Sequence, residues 1–325
     1  MSDSINQRSI LRTAEIIVVK VGSRVLSSST GQLDESRIAS LSSQLVELTK
    51  LGKQVVLVSS GAVASGVGKL GLERRPADLA QLQAVAAVGQ AHLIQSYERH
   101  FSQLGKHAAQ ILLIADDLDN RTRYLNVRNT LLACLQMGLI PVINENDTVA
   151  VEELQTTFGD NDRLAGMVAG LFAKLALIIL SDVEGVYDRD PKLPGATVVS
   201  QIEQVDRGVL GLATAHNSTV SKGGMASKLR VAQFVTQSGA AVVIAGGRVD
   251  RILPRLMTGK FLGRSSCLTL KDSFPKRWQL FYSAKWTASG MMEPLTLYAT
   301  TAAACSPSAF DLSKVNSKKA TSLQL

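Results

Sequence analysis

The sequence predicts an α/β protein, a three-layer αβα arrangement in which helices cover both faces of a mainly parallel sheet. Three observations lead there. Short continuous apolar runs, rich in β-branched residues, have the length and composition of strands buried on both faces. Between them lie segments with apolar residues at three- and four-residue steps, as in the helices that connect parallel strands. Polar and glycine-rich clusters follow the runs, and open α/β sheets bind ligands beyond the carboxyl ends of their strands.

The strongest strand signals are Ile16 to Val21, Val55 to Val58 and Leu175 to Leu180, with weaker runs at Leu139 to Ile143 and Ala240 to Ala245. After the first strand, Asp34 is placed to cap a helix, because its side-chain oxygen can satisfy first-turn N–H groups. Ile38, Leu41, Leu45 and Leu48 form that helix's apolar stripe, and Gly52 marks its end. From about Gln279 the chain becomes rich in Ser, Thr and Ala and poor in acidic residues, and neither helical nor strand periodicity is evident.

Composition narrows the function. With 325 residues and 46% hydrophobic content, the chain can build a large core. No apolar run approaches the roughly 18 residues of a spanning helix, and the polar segment Met1 to Glu15 lacks the apolar stretch of a signal peptide. This predicts a cytoplasmic protein with no membrane association. Cys134, Cys267 and Cys305 are widely spaced and show no zinc-site pattern. The net charge of +8 comes from scattered residues, with only short pairs such as Arg74-Arg75 and Lys276-Arg277, and aromatic residues make up 5% of the chain. A nucleic-acid-binding face would need clustered cations and stacking aromatics, so no nucleic-acid partner is expected.

The clusters carry the chemistry. Lys20-Val21-Gly22-Ser23 ends the first strand, and a lysine in a buried strand is costly unless it meets an anion or snorkels to the edge. Ser59-Ser60-Gly61-Ala62 ends the second; its backbone N–H groups suit an anion, and the same pattern fits a plain strand-to-helix turn. Asn144-Glu145-Asn146-Asp147 follows the next apolar run, and Gly159-Asp160-Asn161-Asp162-Arg163 comes soon after. Each cluster alone fits a loop. Together they offer carboxylates for an ammonium and amides for carboxylates, as an amino-acid ligand requires. Ser181-Asp182 then leads into the turn-rich stretch to Pro191, and Lys222-Gly223-Gly224-Met225-Ala226-Ser227-Lys228 opens a helix in the manner of a phosphate site.

Two glycine patterns point elsewhere and fail on context. Gly66 to Gly71 fits GxGxxG, but it falls within a predicted helix and its exit rather than at a strand-to-helix turn. Gly61 and Gly66 have Walker A spacing, yet Val67 stands where lysine is needed. A dinucleotide-dependent oxidoreductase and a P-loop enzyme therefore lack support. The histidines, His92, His100, His107 and His216, are dispersed along the chain and suggest no catalytic role.

In chain order, VVKVGSRVL at 18–26, VVLVSSGAVASG at 55–66, AVAAVGQAHLIQ at 84–95, PVINENDTVA at 141–150, FGDNDRLA at 158–165, LSDVEGVYDRDP at 180–191 and KGGMASKL at 222–229 resemble the amino-acid kinase family. They most closely resemble the branch that phosphorylates the side-chain carboxylate of L-glutamate. The resemblance spans about residues 15 to 278. It implies an eight-stranded, mainly parallel sheet with ATP and glutamate side by side at its carboxyl edge. By position, Lys20 and Lys228 match lysines that stabilise the transferring phosphoryl group, and Asp162 matches the carboxylate that orients them. Ser60, Asp147 and Asn161 match glutamate-binding residues. Lys20, Ser181, Asp182 and the stretch Lys222, Gly223, Gly224, Met225, Ala226, Ser227 and Lys228 match the ATP site. Lys222 departs from the small residue expected before the glycines.

The resemblance also implies Mg²⁺, homodimers or homotetramers, feedback inhibition by proline, and a place at the first step of proline biosynthesis. A glutamate side chain, with an unperturbed pKa near ~4.3, is already an anionic nucleophile, so no general base is required. Kinases of the same family acting on aspartate, N-acetylglutamate, carbamate or UMP are the nearest alternatives, and the two Asn/Asp clusters argue against them. Many members continue past a segment like Lys276-Arg277-Trp278 into a PUA domain, and nothing after Trp278 resembles one. The expected organisation is a catalytic domain over 1–278 and a tail over 279–325 without a recognisable fold.

Overall fold

The computed structural model describes residues 9–28, 31–150, 160–214, 224–258 and 265–268. All of them lie within one compact unit, Met1–Arg277. The tail from 279 and the pair Lys222-Gly223 fall outside the described residues.

The chain opens with a short helix α1 (Ser9–Thr13) and strand β1 (Ile16–Val21), followed by a single turn α2 (Ser23–Leu26). Helix α3 (Glu35–Lys50) is capped as expected: the Asp34 carboxylate accepts from the N–H groups of Ser36 and Arg37. Strand β2 (Gln54–Ser59) leads into α4 (Ala62–Lys69) and the long α5 (Leu79–Gln103). Next come β3 (Ala108–Leu113), α6 (Ala115–Asp119), α7 (Arg121–Gln136) and β4 (Ile140–Glu145). Helix α8 (Asp160–Gly170) precedes β5 (Leu175–Ser181), the two-residue β6 (Gln201–Ile202) and α9 (Arg207–Thr214). The described chain ends with α10 (Met225–Gln237), β7 (Ala241–Gly246), α11 (Ile252–Met257) and β8 (Ser265–Leu268).

The strands form one eight-stranded sheet in the order β3-β4-β2-β1-β5-β7-β8-β6, the number the family resemblance implies. Every pairing is parallel except β7 with β8. The strands read from sequence are present with shifted ends: the fourth runs to Glu145 rather than Ile143, and the seventh to Gly246.

Side chains alternate across the sheet, and its central strands are buried on both faces. Ile17, Val19 and Val21 of β1 join Ala176, Ile178 and Leu180 of β5 in a core with α3, α5 and α11. Ile16, Val18 and Lys20 therefore face the other way, where α8 packs on β1, β2, β4 and β5, and α10 packs on α8 and β7. Each fully buried aliphatic side chain contributes about 1.5–3 kcal/mol, so two buried faces hold the strand ends firmly. No described helix is long and apolar enough to cross a membrane.

Two glycines set the angle of the second crossover. A Cβ on Gly89 of α5 would collide with the carbonyl of Ala62 and the backbone of Gly66, and one on Gly66 would collide with Val85. Helices α4 and α5 thus touch backbone to backbone. Gly66 of the misleading GxGxxG pattern is a packing residue inside α4, as its place in a helix suggested.

Candidate active site

The order of the strands reverses at β1. The chain moves from β1 to β2 on one side and later from β5 to β7 on the other, and such a reversal opens a crevice at the carboxyl edge. Ser60 follows β2, and Asp147 follows β4, on one side of β1; Ser181 and Asp182 close β5 on the other. Lys20 lies between them, paired in register with Val58 of β2 and Ile179 of β5.

Lys20 points to the α8 face and meets the anion its burial demands. Its Nζ is 2.7 Å from Asp162 Oδ1, and Lys228 Nζ, from α10, donates to Oδ2 of the same carboxylate at 3.0 Å. Asp162 is 0% exposed, Lys20 5% and Lys228 7%. Burial alone pushes the Asp162 carboxyl up, but the charges of Lys20 and then Lys228, with their hydrogen bonds, outweigh it and hold the group below its ordinary value. Two ammoniums against one carboxylate leave a net +1 in a buried place at the sheet edge. Such an excess suits an anionic ligand.

On the β2 side, the Ser60 N–H donates to Val21 O, and Gly61 sits at φ 113 as the N-cap of α4, a conformation glycine adopts without strain. The Ser59 and Tyr97 hydroxyls lie 3.0 Å apart and tie this corner to α5. In the following cluster, the Asn146 N–H donates to Leu113 O, Thr148 donates to Asn146 Oδ1, and Asp147 is half-buried in the turn. Asn161 is buried next to Asp162 at the start of α8.

On the β5 side, burial raises the Asp182 carboxyl, and the hydrogen bonds from Arg24 at 3.0 Å and Ser181 at 3.1 Å bring it below its ordinary value. Arg24 was not foreseen from sequence. The segment beyond is built rather than loose: the Val186 N–H donates to Ser266 Oγ, which donates to Val199 O. Gly224 is the extended N-cap of α10, so Met225, Ala226 and Ser227 form its first turn and Lys228 follows.

The structure thus brings Lys20, Asp162 and Lys228 into contact, and topology sets Ser60, Asp147, Asn161, Ser181 and Asp182 at the same edge. It also reveals groupings that sequence reasoning missed. Asn144 Nδ2 donates to Gln90 Oε1 at 2.7 Å, with both residues buried. His92 and His100, read as dispersed, both approach Glu35, at 3.9 and 3.4 Å, beside Ser96.

The chain belongs to the amino acid kinase family, whose model matches residues 15–246. It is 48% identical over 257 residues to a glutamate 5-kinase of Rhodopirellula baltica, covering 79% of this chain and 66% of the relative. The glutamate 5-kinase of Nitrosomonas eutropha is 47% identical over 259 residues, with 79% and 69% covered. That of Nitrosococcus oceani is 42% identical over 299 residues, with 92% and 77% covered. Within the family, the chain belongs with the glutamate 5-kinases and is a kinase, hence a transferase, spanning 66–77% of the length of these relatives. Among solved structures, a carbamate kinase from Giardia lamblia bound to AMP-PNP aligns with TM-score 0.52 and 14% identity, over 79% of this chain and 99% of that one. That likeness shows the shared fold.

Proposed function

We propose that this sheet edge transfers the γ-phosphoryl group of ATP to the side-chain carboxylate of L-glutamate. A carboxylate oxygen attacks the γ-phosphorus, the bond to the β–γ bridging oxygen breaks, and ADP leaves with that oxygen's charge. The product, L-glutamyl 5-phosphate, is a labile acyl phosphate, as expected for the first step of proline biosynthesis. Membership of the glutamate 5-kinases supports this reaction. The structural observation that carries it is the buried Lys20–Asp162–Lys228 triad at the reversal of strand order.

In this reading, glutamate lies on the β2 and β4 side. Asp147 holds its ammonium, and Ser60 and Asn161 bind its polar groups. ATP lies on the β5 side against Ser181, Asp182 and the start of α10, and family resemblance adds Lys222 and Gly223, which lie outside the described residues. Lys20 and Lys228 stand between, neutralising charge on the phosphoryl oxygens, and Asp162 fixes both ammoniums beforehand. The nucleophile is already ionised, so catalysis consists of alignment and charge stabilisation. Family resemblance implies Mg²⁺, an ion usually held by one or two carboxylates together with substrate phosphates. When bound, Mg²⁺ would supply further positive charge to the phosphoryl groups of the nucleotide.

Family resemblance also supports a cytoplasmic homodimer or homotetramer inhibited by proline. Proline is expected to raise the apparent KM for glutamate, and unchanged kinetics at high proline would reject that part. The decisive test is ATP-dependent hydroxamate formation from glutamate and hydroxylamine, with aspartate and N-acetylglutamate as competing acceptors. Turnover confined to glutamate is expected; preference for another acceptor would overturn the assignment.

A further inference from the structure

The stretch AVAAVGQAHLIQ at 84–95 forms part of α5, and none of its residues has a role in the reaction so far. Its Gln90 is unusual. It lies in the buried stripe of α5 with Val85, Ala86, Leu93 and Tyr97, where an amide is costly unless satisfied. It is 7% exposed, and its Oε1 accepts from Nδ2 of Asn144, which is 2% exposed at the carboxyl end of β4. Among the described residues, the other two amide atoms, Asn144 Oδ1 and Gln90 Nε2, have no hydrogen-bond partner. The open acceptor on Asn144, at the end of β4 and at a ligand edge, matches the ammonium of an amino acid.

The helix that presents Gln90 is fixed on both sides of it. One residue earlier, Gly89 presses on the backbone of α4, which begins just after Ser60 and Gly61. Seven residues later, Tyr97 bonds Ser59. Helix α5 is therefore a rigid back wall joining the Ser60 corner to the Asn144–Asp147 corner, and the Gln90–Asn144 bond is its tie to the latter.

We infer that Gln90 is a positioning residue of the acceptor site: through its bond to Asn144 it holds that amide, and the corner leading to Asp147, in the orientation that receives glutamate. The inference rests on the acceptor site proposed above.

Gln90→Leu and Gln90→Glu test it in the full chain. Hydroxamate formation gives kcat and the KM values for glutamate and ATP, and circular dichroism melts report folding. Gln90→Leu should raise KM for glutamate roughly 10-fold, as for loss of a buried hydrogen bond, with kcat and KM for ATP nearly unchanged. Gln90→Glu retains an acceptor for Asn144 Nδ2 and should recover most of that loss. If Gln90→Leu leaves glutamate KM unchanged, or raises both KM values together with a lowered Tm that Gln90→Glu shares, the residue only packs and the inference is overturned. Wild-type protein is the control for the underlying assignment: no glutamate turnover by it overturns the proposed function and this inference together, whereas normal wild-type turnover with an unaffected variant overturns only the role of Gln90.

Discussion

Asp162→Asn probes the charge balance of the site most directly. In the native protein the triad carries two ammoniums and one carboxylate, and its lysines are only 5% and 7% exposed. The amide raises the local charge from +1 to +2 and removes the anion both lysines share. Breaking a buried ion pair on one side costs about 3–5 kcal/mol. At roughly 2–4 °C per kcal/mol for a domain of this size, Tm should fall by about 6–20 °C. The double variant Lys228→Met/Asp162→Asn returns the charge to +1, so its loss should be smaller than the sum of the two single losses.

The dependence on pH has a definite sign. The Asp162 carboxyl lies below its ordinary 3.8 in the folded protein, so its contribution is fully present above that pH and is lost as pH falls through the folded value. The stability gap between wild type and Asp162→Asn should therefore be largest near neutrality and narrow under strong acid. Circular dichroism melts across that range provide the measurement. An Asp162→Asn protein that melts at the wild-type temperature at neutral pH would refute the electrostatic account, however its activity behaved.

Other perturbations separate the parts of the site. Lys20→Ala should lower kcat by roughly 10² or more with glutamate KM little changed, because its charge acts on the transferring group. Lys20→Arg should also fail, since a planar fork does not replace a compact ammonium in a crowded place; near-normal kcat in a folded Lys20→Ala protein would remove Lys20 from the mechanism. Asp147→Asn should raise KM for glutamate far more than it lowers kcat, and the opposite split would show that Asp147 acts on the transition state. A chain ending at Trp278 should keep glutamate kinase activity, because every matched site residue precedes that point. A folded but inactive truncation would assign the tail a role.

What the sequence disclosed, and what it hid, follows from the range of the interactions involved. Strands β1, β2 and β5 were legible because both faces are buried and the apolar run is nearly continuous. Strand β3 was not, because it lies at the sheet edge with Gln110 exposed and its neighbours half-buried. Strands β6 and β8, of two and four residues, are too short to show any period. The cost of a buried lysine announced that Lys20 needs an anion, but residue chemistry alone did not single out Asp162; family resemblance did. The Gln90–Asn144 bond joins residues 54 positions apart and exists only because α5 lies against the strand ends. Its one local signal was a glutamine in an apolar helical stripe. The grouping of His92 and His100 around Glu35 is likewise set by the packing of α3 on α5.

The triad also explains how a site can be cationic without being unstable. Two buried ammoniums side by side would repel one another. A carboxylate shared between them offsets that repulsion and holds both side chains in place. In a transfer from ATP to a carboxylate, negative charge spreads over the phosphoryl oxygens and toward the bridging oxygen, so cations anchored on separate elements can meet it from two directions. Lys20 is fixed by a strand in the middle of the sheet and Lys228 by a helix packed across it. Neither element has to move for Asp162 to hold both ammoniums. In the proposed mechanism the stabilisation is therefore preorganised, and little reorganisation energy is spent as the transition state forms.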